Sequence, residues 1–251
     1  MGPSLSHWPL TGLNAGVEDR PGMIAEISND LELRPHEGLE AADIVFEGID
    51  DQGLSVLTPF FHSTLPAQLS GVMSLTDPYL WPPGYEVYSG GQSSNGTRNL
   101  GGFPDRFCEF DIQEQGSTAQ RLGTMATSVW VYLSDHAEPR WAWDYHSNQW
   151  LRWEGSVPAM SNHGVQLAVS NVLILDIDSS ASPGMNPILS AVGQGTGVVV
   201  SGQMVAPIVW TRESLSTTWQ FLDEFGDPVL LIPGTTWIEL LPKDTGFWLS
   251  I

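Results

Sequence analysis

Arg140-Trp-Ala-Trp-Asp-Tyr-His-Ser-Asn-Gln-Trp150 places three Trp, a Tyr and a His within eleven residues. In an extended strand Trp141 and Trp143 point to one face, and Arg140, Ala142 and Asp144 to the other. The turn His146-Ser-Asn-Gln149 brings Trp150 and Trp153 back on a second strand, so the stretch predicts an antiparallel hairpin with clustered indoles. Trp is rarely fully buried and its N–H needs an acceptor. Two placements therefore stand open for Trp141 and Trp143: interior core, or the wall of an apolar pocket.

Outward from this hairpin the carboxy-terminal half keeps the same character. Residues 128–133 (SVWVYL), 170–176 (SNVLILD), 197–200, 205–210, 229–232 and 236–241 read as short strands separated by turn residues, at the spacing of antiparallel sheets or barrels. Nine of the eleven Trp lie at or beyond residue 130. The amino-terminal half is more mixed. Residues 22–27 and 54–62 read as strands, the second interrupted by Pro59, which suggests an edge or a bulge. Residues 38–48 (GLEAADIVFEG) begin with helical spacing and run into the apolar Ile44-Val45-Phe46. Residues 78–107 carry PP, GG and NG pairs without periodicity and read as a long loop of the kind that serves as a lid or binding segment. The expected fold is β-rich α+β: a mixed α/β amino-terminal domain, 1–125, packed on an antiparallel, barrel-like or sandwich β domain, 126–251.

Nine basic residues against twenty-nine acidic ones give a net charge of −20, with Lys243 the single lysine. Such a chain repels phosphate backbones and anionic lipid, which disfavours nucleic-acid and membrane-surface partners. Cys108 is the sole cysteine, so no intrachain disulfide or cysteine metal cluster forms. The first twelve residues lack the basic and apolar regions of a secretory signal, and no apolar run approaches the roughly 20 residues of a membrane span. A cytoplasmic protein is expected.

No Walker A phrase, H-E-x-x-H or G-x-S-x-G is present, and Gly193-Gln-Gly-Thr-Gly197 does not match the dinucleotide fingerprint. This glycine phrase reads as a hairpin or bulge before strand 198–200. The six histidines, His7, His36, His62, His136, His146 and His163, show no metal-ligand spacing. Neither cofactor nor metal is expected. Asp43 and Glu47 stand four apart, which on a helix would set two carboxylates on one face. They could work as acid and base if burial raised one of them, or serve as structural hydrogen-bond acceptors. His62 closes an apolar strand, where it is either a core-edge side chain or a proton shuttle.

Several phrases read in order resemble the YerB-like lipoprotein family, a two-part bacterial family. They are Pro9-Leu-Thr-Gly12, residues 34–47 (RPHEGLEAADIVFE), Phe60-Phe-His-Ser63, Asn171-Val-Leu-Ile-Leu175, Gly193-Gln-Gly195 and residues 223–242 (DEFGDPVLLIPGTTWIELLP). In the family a lipoprotein signal and linker precede the Pro-Leu-Thr-Gly phrase, which here begins at residue 9. The family's Gly-Pro-Val-Arg-Ser-Ala-Arg phrase corresponds to Ser70-Gly-Val-Met-Ser-Leu-Thr76, and its Thr-Arg pair to Ser55-Val56, so these arginines are absent. If they bind an anion in the family, either an apolar ligand or simple drift accounts for the exchange.

These features together point to a cofactor-independent cyclase or pericyclase that shapes an apolar polyketide or polyether intermediate, a profile similar to the small β-barrel cyclases of actinomycete polyketide pathways. Glu47, Asp43, His62 and Asp144 are the candidate catalytic groups. Trp141, Trp143, Tyr145, His146 and Trp150 are the candidate substrate-binding residues. The alternative is a non-catalytic ligand- or carbohydrate-binding module of envelope type, since exposed Trp faces stack on sugar rings.

Overall fold

The computed structural model describes residues 4–18, 22–73, 86–87, 108–111, 116–180, 188–214 and 217–251. Nearly all of the expected loop 78–107 lies outside them.

The twelve principal strands are β1 (Met23–Ile24), β2 (Ile44–Ile49), β3 (Ser55–Phe61), β4 (Ser128–Tyr132), β5 (Pro139–Asp144), β6 (Gln149–Glu154), β7 (Asn171–Ile177), β8 (Gly193–Ser201), β9 (Met204–Arg212), β10 (Gln220–Leu222), β11 (Thr236–Pro242) and β12 (Gly246–Ser250). A large sheet has the order β10-β9-β8-β7-β11-β2-β3-β1 with smaller strands at its margins, and a second sheet has the order β6-β5-β4-β12. The β-rich expectation holds, and among the described residues both sheets are open, layered on each other and not closed into a barrel.

The two halves of the chain share the large sheet. β11, near the carboxy terminus, pairs in parallel with β7 on one side and with β2 on the other. The antiparallel pattern expected of the carboxy-terminal half is therefore interrupted by the parallel pair β7–β11. β7 and β11 are fully interior, and their near-continuous apolar runs (VLILDI, WIELLP) suit strands covered on both faces.

Alternation along each strand sorts its side chains between two cores. Ile44, Phe46, Phe60, Leu173, Leu175, Ile238 and Leu240 face a core closed by Leu10, Phe110, Trp219, Phe221 and the short helix α1 (Thr118–Leu122). Val45, Leu57, Phe61, Val172, Ile174, Trp237 and Leu241 face the second sheet, where Val129, Val131, Trp141 and Trp150 meet them. This second layer sets up the site.

Local differences from the expectations have local causes. Residues 38–48 do not start a helix; a single 3-10 turn, Leu39–Ala41, leads into β2. The run Ile-Val-Phe, two of its three residues β-branched, prefers the pleated, buried position. Pro59 lies in an interior strand, not at an edge: its carbonyl accepts from Ala25 N, but it has no N–H to return, and the ladder between β1 and Ile27 is interrupted there. Gly193–Gly197 is part of β8 itself. A Cβ on Gly195 would sit 2.6 Å from both the Asp176 carbonyl and Trp210 Nε1, so the glycine admits the indole that donates to that carbonyl.

Candidate functional site

The 140–154 hairpin forms with Trp141 opposite Arg152, Trp143 opposite Trp150 and Arg140 opposite Trp153. The pleat sends Trp150, Arg152 and Glu154 inward on β6. From the opposing sheet, Glu47 on β2 and Glu239 on β11 are direct cross-strand partners and point to the same side. A guanidinium thus meets three carboxyl groups between the layers.

Arg152 Nη2 donates to Glu47 Oε1 (2.9 Å) and Glu154 Oε1 (2.9 Å), its Nε to Glu154 Oε1 (3.0 Å), and its Nη1 to Glu239 Oε1 (3.2 Å). The guanidinium lies over Trp237 (4.4 Å to the ring centre) and Trp141 (5.3 Å). The two indoles also hold the acids: Trp237 donates to Glu47 Oε2 (3.0 Å) and Trp141 to Glu239 Oε1 (2.8 Å). Arg152, Glu47 and Glu239 are completely buried. Burial opposes the charge on Arg152, but Glu154, Glu47 and Glu239 outweigh it and hold the proton more firmly than usual.

Burial and the neighbouring Glu47 raise the Glu239 carboxyl well above the usual carboxylate range. Among the described residues its Oε2 has no hydrogen-bond partner, which would be costly for an ionised oxygen in the interior. A proton on that oxygen turns it into a donor toward the Glu47 carboxyl. With Glu239 neutral, the charge of Arg152 and of Arg34 is matched by Glu47 and Glu154. For Glu154 burial works upward, but Arg152, Arg34 and Asn29 together hold its carboxyl below the usual range.

Two members of this cluster, Arg152 and Glu154, reach the lining of a cleft of about 390 Å3, within the size range of small-molecule sites. Leu31, Leu39, Leu57, Val157, Met160 and Leu167 are among its apolar walls, and Asn29, Arg34, His36, Arg152 and Glu154 are its polar groups. The polar side is held by a hydrogen-bonded chain. Asn29 Nδ2 donates to Ser55 Oγ (3.1 Å) and Glu154 Oε1 (3.3 Å), and Ser55 Oγ donates to Glu47 Oε1 (2.5 Å). Asn29 therefore turns its oxygen to His36, whose Nε2 donates across 3.2 Å. Burial, with help from Arg34, pushes His36 down to about 4, leaving it neutral at neutral pH. Arg34 lies at the edge, with Nε 2.9 Å from the Asn29 carbonyl and Nη1 3.4 Å from Glu154 Oε2.

Of the candidate catalytic groups Glu47 alone belongs to this cluster, and of the candidate binding residues Trp141 alone, as the indole that donates to Glu239. Asp43 sits four residues earlier on an extended segment, roughly 13 Å along the strand direction, so the shared helical face does not exist. Its carboxylate accepts from His62 N (2.6 Å), Ser63 N (2.7 Å) and Ser63 Oγ. Burial raises the Asp43 carboxyl, and those hydrogen bonds partly offset the rise. His62 is buried against Trp8, ring centres 4.8 Å apart. Asp144 is in the hairpin turn, where it accepts from Ser147 N, Ser147 Oγ and His146 N; these bonds hold it down to about 2. Tyr145 and His146 are exposed at the same turn.

Trp141 and Trp150 are interior side chains, and Trp143 packs half-buried on Trp150 at 5.4 Å. None of the three is among the residues lining the cleft. Arg152, Glu154, Glu239, Arg34, His36 and Asn29 are the residues that sequence reasoning missed as site groups. Two left a visible signal: Glu239 interrupts the apolar run Trp237–Leu241, and Arg152 shares the inward parity of Trp150.

The fold and site thus define a two-sheet β-rich protein whose halves meet at a buried Arg–Glu cluster beneath an apolar cleft. Residues 10–93 match the N-terminal domain, and residues 129–238 the C-terminal domain, of the family described as protein of unknown function (DUF3048). The chain belongs to this DUF3048, YerB-like family. The crystal structure of YerB protein from Bacillus subtilis is similar, with a TM-score of 0.71 at 17% identity over 98% of this chain and 99% of that one. A search of curated proteins gives no match.

Proposed function

We propose that the protein is a cofactor-independent cyclase of pericyclase type, which holds an apolar polyketide- or polyether-like molecule in the Arg34–Arg152–Glu154 cleft. The carrying observation is a cleft with apolar walls and a polar side whose groups are fixed by hydrogen bonds before any ligand arrives. Holding a flexible chain in a reactive conformer can supply several kcal/mol of barrier lowering by orientation. Guanidinium N–H groups of Arg34 can polarise a carbonyl as charge develops. Burial holds His36 down to about 4, and against burial Arg152, Arg34 and Asn29 hold Glu154 below the usual carboxylate range, so neither group is poised for proton exchange near neutral pH; this favours catalysis by orientation over proton transfer.

A second reading, a non-catalytic ligand- or carbohydrate-binding module, has its own support. On the outer face of the small sheet Trp248 is 59% exposed and is the cross-strand partner of Trp130, which stacks with Arg140 at 4.9 Å. Such a face suits a sugar ring. Incubation with a linear polyene ketone, followed by chromatography and mass spectrometry, separates the readings. A product of unchanged mass and altered retention, lost in Arg34→Ala, supports the cyclase; substrate bound and returned unchanged supports the module.

A further inference from the structure

We infer that the cleft selects molecules whose polar end is a neutral oxygen acceptor, such as a ketone, ester or ether, and rejects the matching carboxylate, with Glu154 as the selecting group. The inference rests on the reading of the cleft as an apolar-ligand site.

Glu154 already fills the anion position of the floor. It accepts from Arg152 Nε and Nη2 and from Asn29 Nδ2, and pairs with Arg34 Nη1. A ligand carboxylate must either share these donors with Glu154 or expel it. Sharing sets two carboxylates side by side at a low-dielectric floor, where like charges repel strongly. Expulsion drives a side chain that is only 15% exposed away from four donors and strips Arg152, completely buried, of a partner. A neutral acceptor meets neither penalty.

Arg34 supplies the matching donor. Its guanidinium has five N–H groups; Nε and one Nη2 hydrogen go to the Asn29 carbonyl and Nη1 turns to Glu154, while the side chain remains 24% exposed at the cleft. N–H groups are thus left over for an oxygen acceptor. The apolar body of the ligand has Leu31 (75% exposed), Val157 (65% exposed) and Met160 at the rim to cover.

The test is calorimetric titration of the intact protein with 2-decanone and with decanoate, at high salt so that the −20 net charge is screened. The ketone is expected to bind at least about tenfold more tightly than decanoate, and Glu154→Gln is expected to shift that ratio toward decanoate by roughly tenfold or more. Equal or tighter decanoate binding by the wild type overturns the inference, as does an unchanged ratio in a folded Glu154→Gln. Should that variant fail to fold, Arg34→Met serves: ketone affinity should fall several-fold, and no change overturns the inference. If neither probe binds the wild type, the apolar-ligand reading itself fails.

Discussion

Glu47 and Glu239 are cross-strand neighbours in the parallel pairing of β2 with β11, and both reach the guanidinium of Arg152 on the opposing sheet. Two carboxyls set side by side in an interior cannot both ionise cheaply. The pair therefore joins the amino- and carboxy-terminal halves of the chain by one proton and one guanidinium.

Unequal roles for these two acids follow. Glu239→Gln keeps a neutral, hydrogen-bonding group in place and should change stability by within about 1 kcal/mol. Glu47→Gln leaves Arg152 short of charge in the interior and should cost about 3–5 kcal/mol. Urea denaturation of both variants tests this; equal losses would show that Glu239 carries a charge.

Raising the pH should weaken the fold through Glu239. Its native carboxyl is raised, so the native state binds the proton more tightly than the unfolded chain does. The stability it supplies is complete below the unfolded value of 4.5 and is lost as pH climbs through the native one. The wild-type stability curve should therefore decline relative to that of Glu239→Gln from about pH 5 upward, by at most about 1.4 kcal/mol per pH unit. Parallel curves would refute the assignment.

Acid should act through His36 in the other sense. The native ring is depressed from 6.5 to about 4, so the unfolded chain takes up the proton first, and stability falls as pH drops through that interval. His36→Gln should remove this component, seen as a flatter stability profile between those values. Ring-proton chemical shifts of His36 give the direct check, with a midpoint near 6.5 ruling the depression out.

Trp141 should behave as a core residue that also satisfies an acid. Trp141→Phe leaves Glu239 without the indole donor and should cost about 1–3 kcal/mol, while Trp141→Ala should cost about 3–5 kcal/mol. Ligand affinity of the folded Trp141→Phe protein should stay near wild type, since the indole does not line the cleft. A selective loss of binding at full stability would restore the pocket-wall placement.

Asp144→Ala removes the acceptor for the His146 and Ser147 amides at the hairpin turn. A small stability loss with unchanged cleft binding is expected, read by thermal melts and the same titrations; loss of conversion or binding without loss of stability would reinstate Asp144 as a functional group.

The sequence by itself determined the strands and their faces, because a strand's side chains alternate whatever it packs against. From that rule came the 140–150 hairpin, Trp141 and Trp143 on one face, and the β-rich class. Glu47 draws notice with Asp43 through a helical spacing that the strand does not have, whereas its place as an acid after the apolar Ile44-Val45-Phe46 run, like that of Glu239 within Trp237–Leu241, is the signal that survives. Which face of the hairpin was enclosed, and by what, was decided only by tertiary structure. The parallel junction of β11 with β2 joins residues about 190 positions apart, and no local pattern encodes such a pairing. That junction sets Glu239 beside Glu47, and the layering of the second sheet drops Arg152 onto both and brings Arg152 and Glu154 to the lining of the cleft.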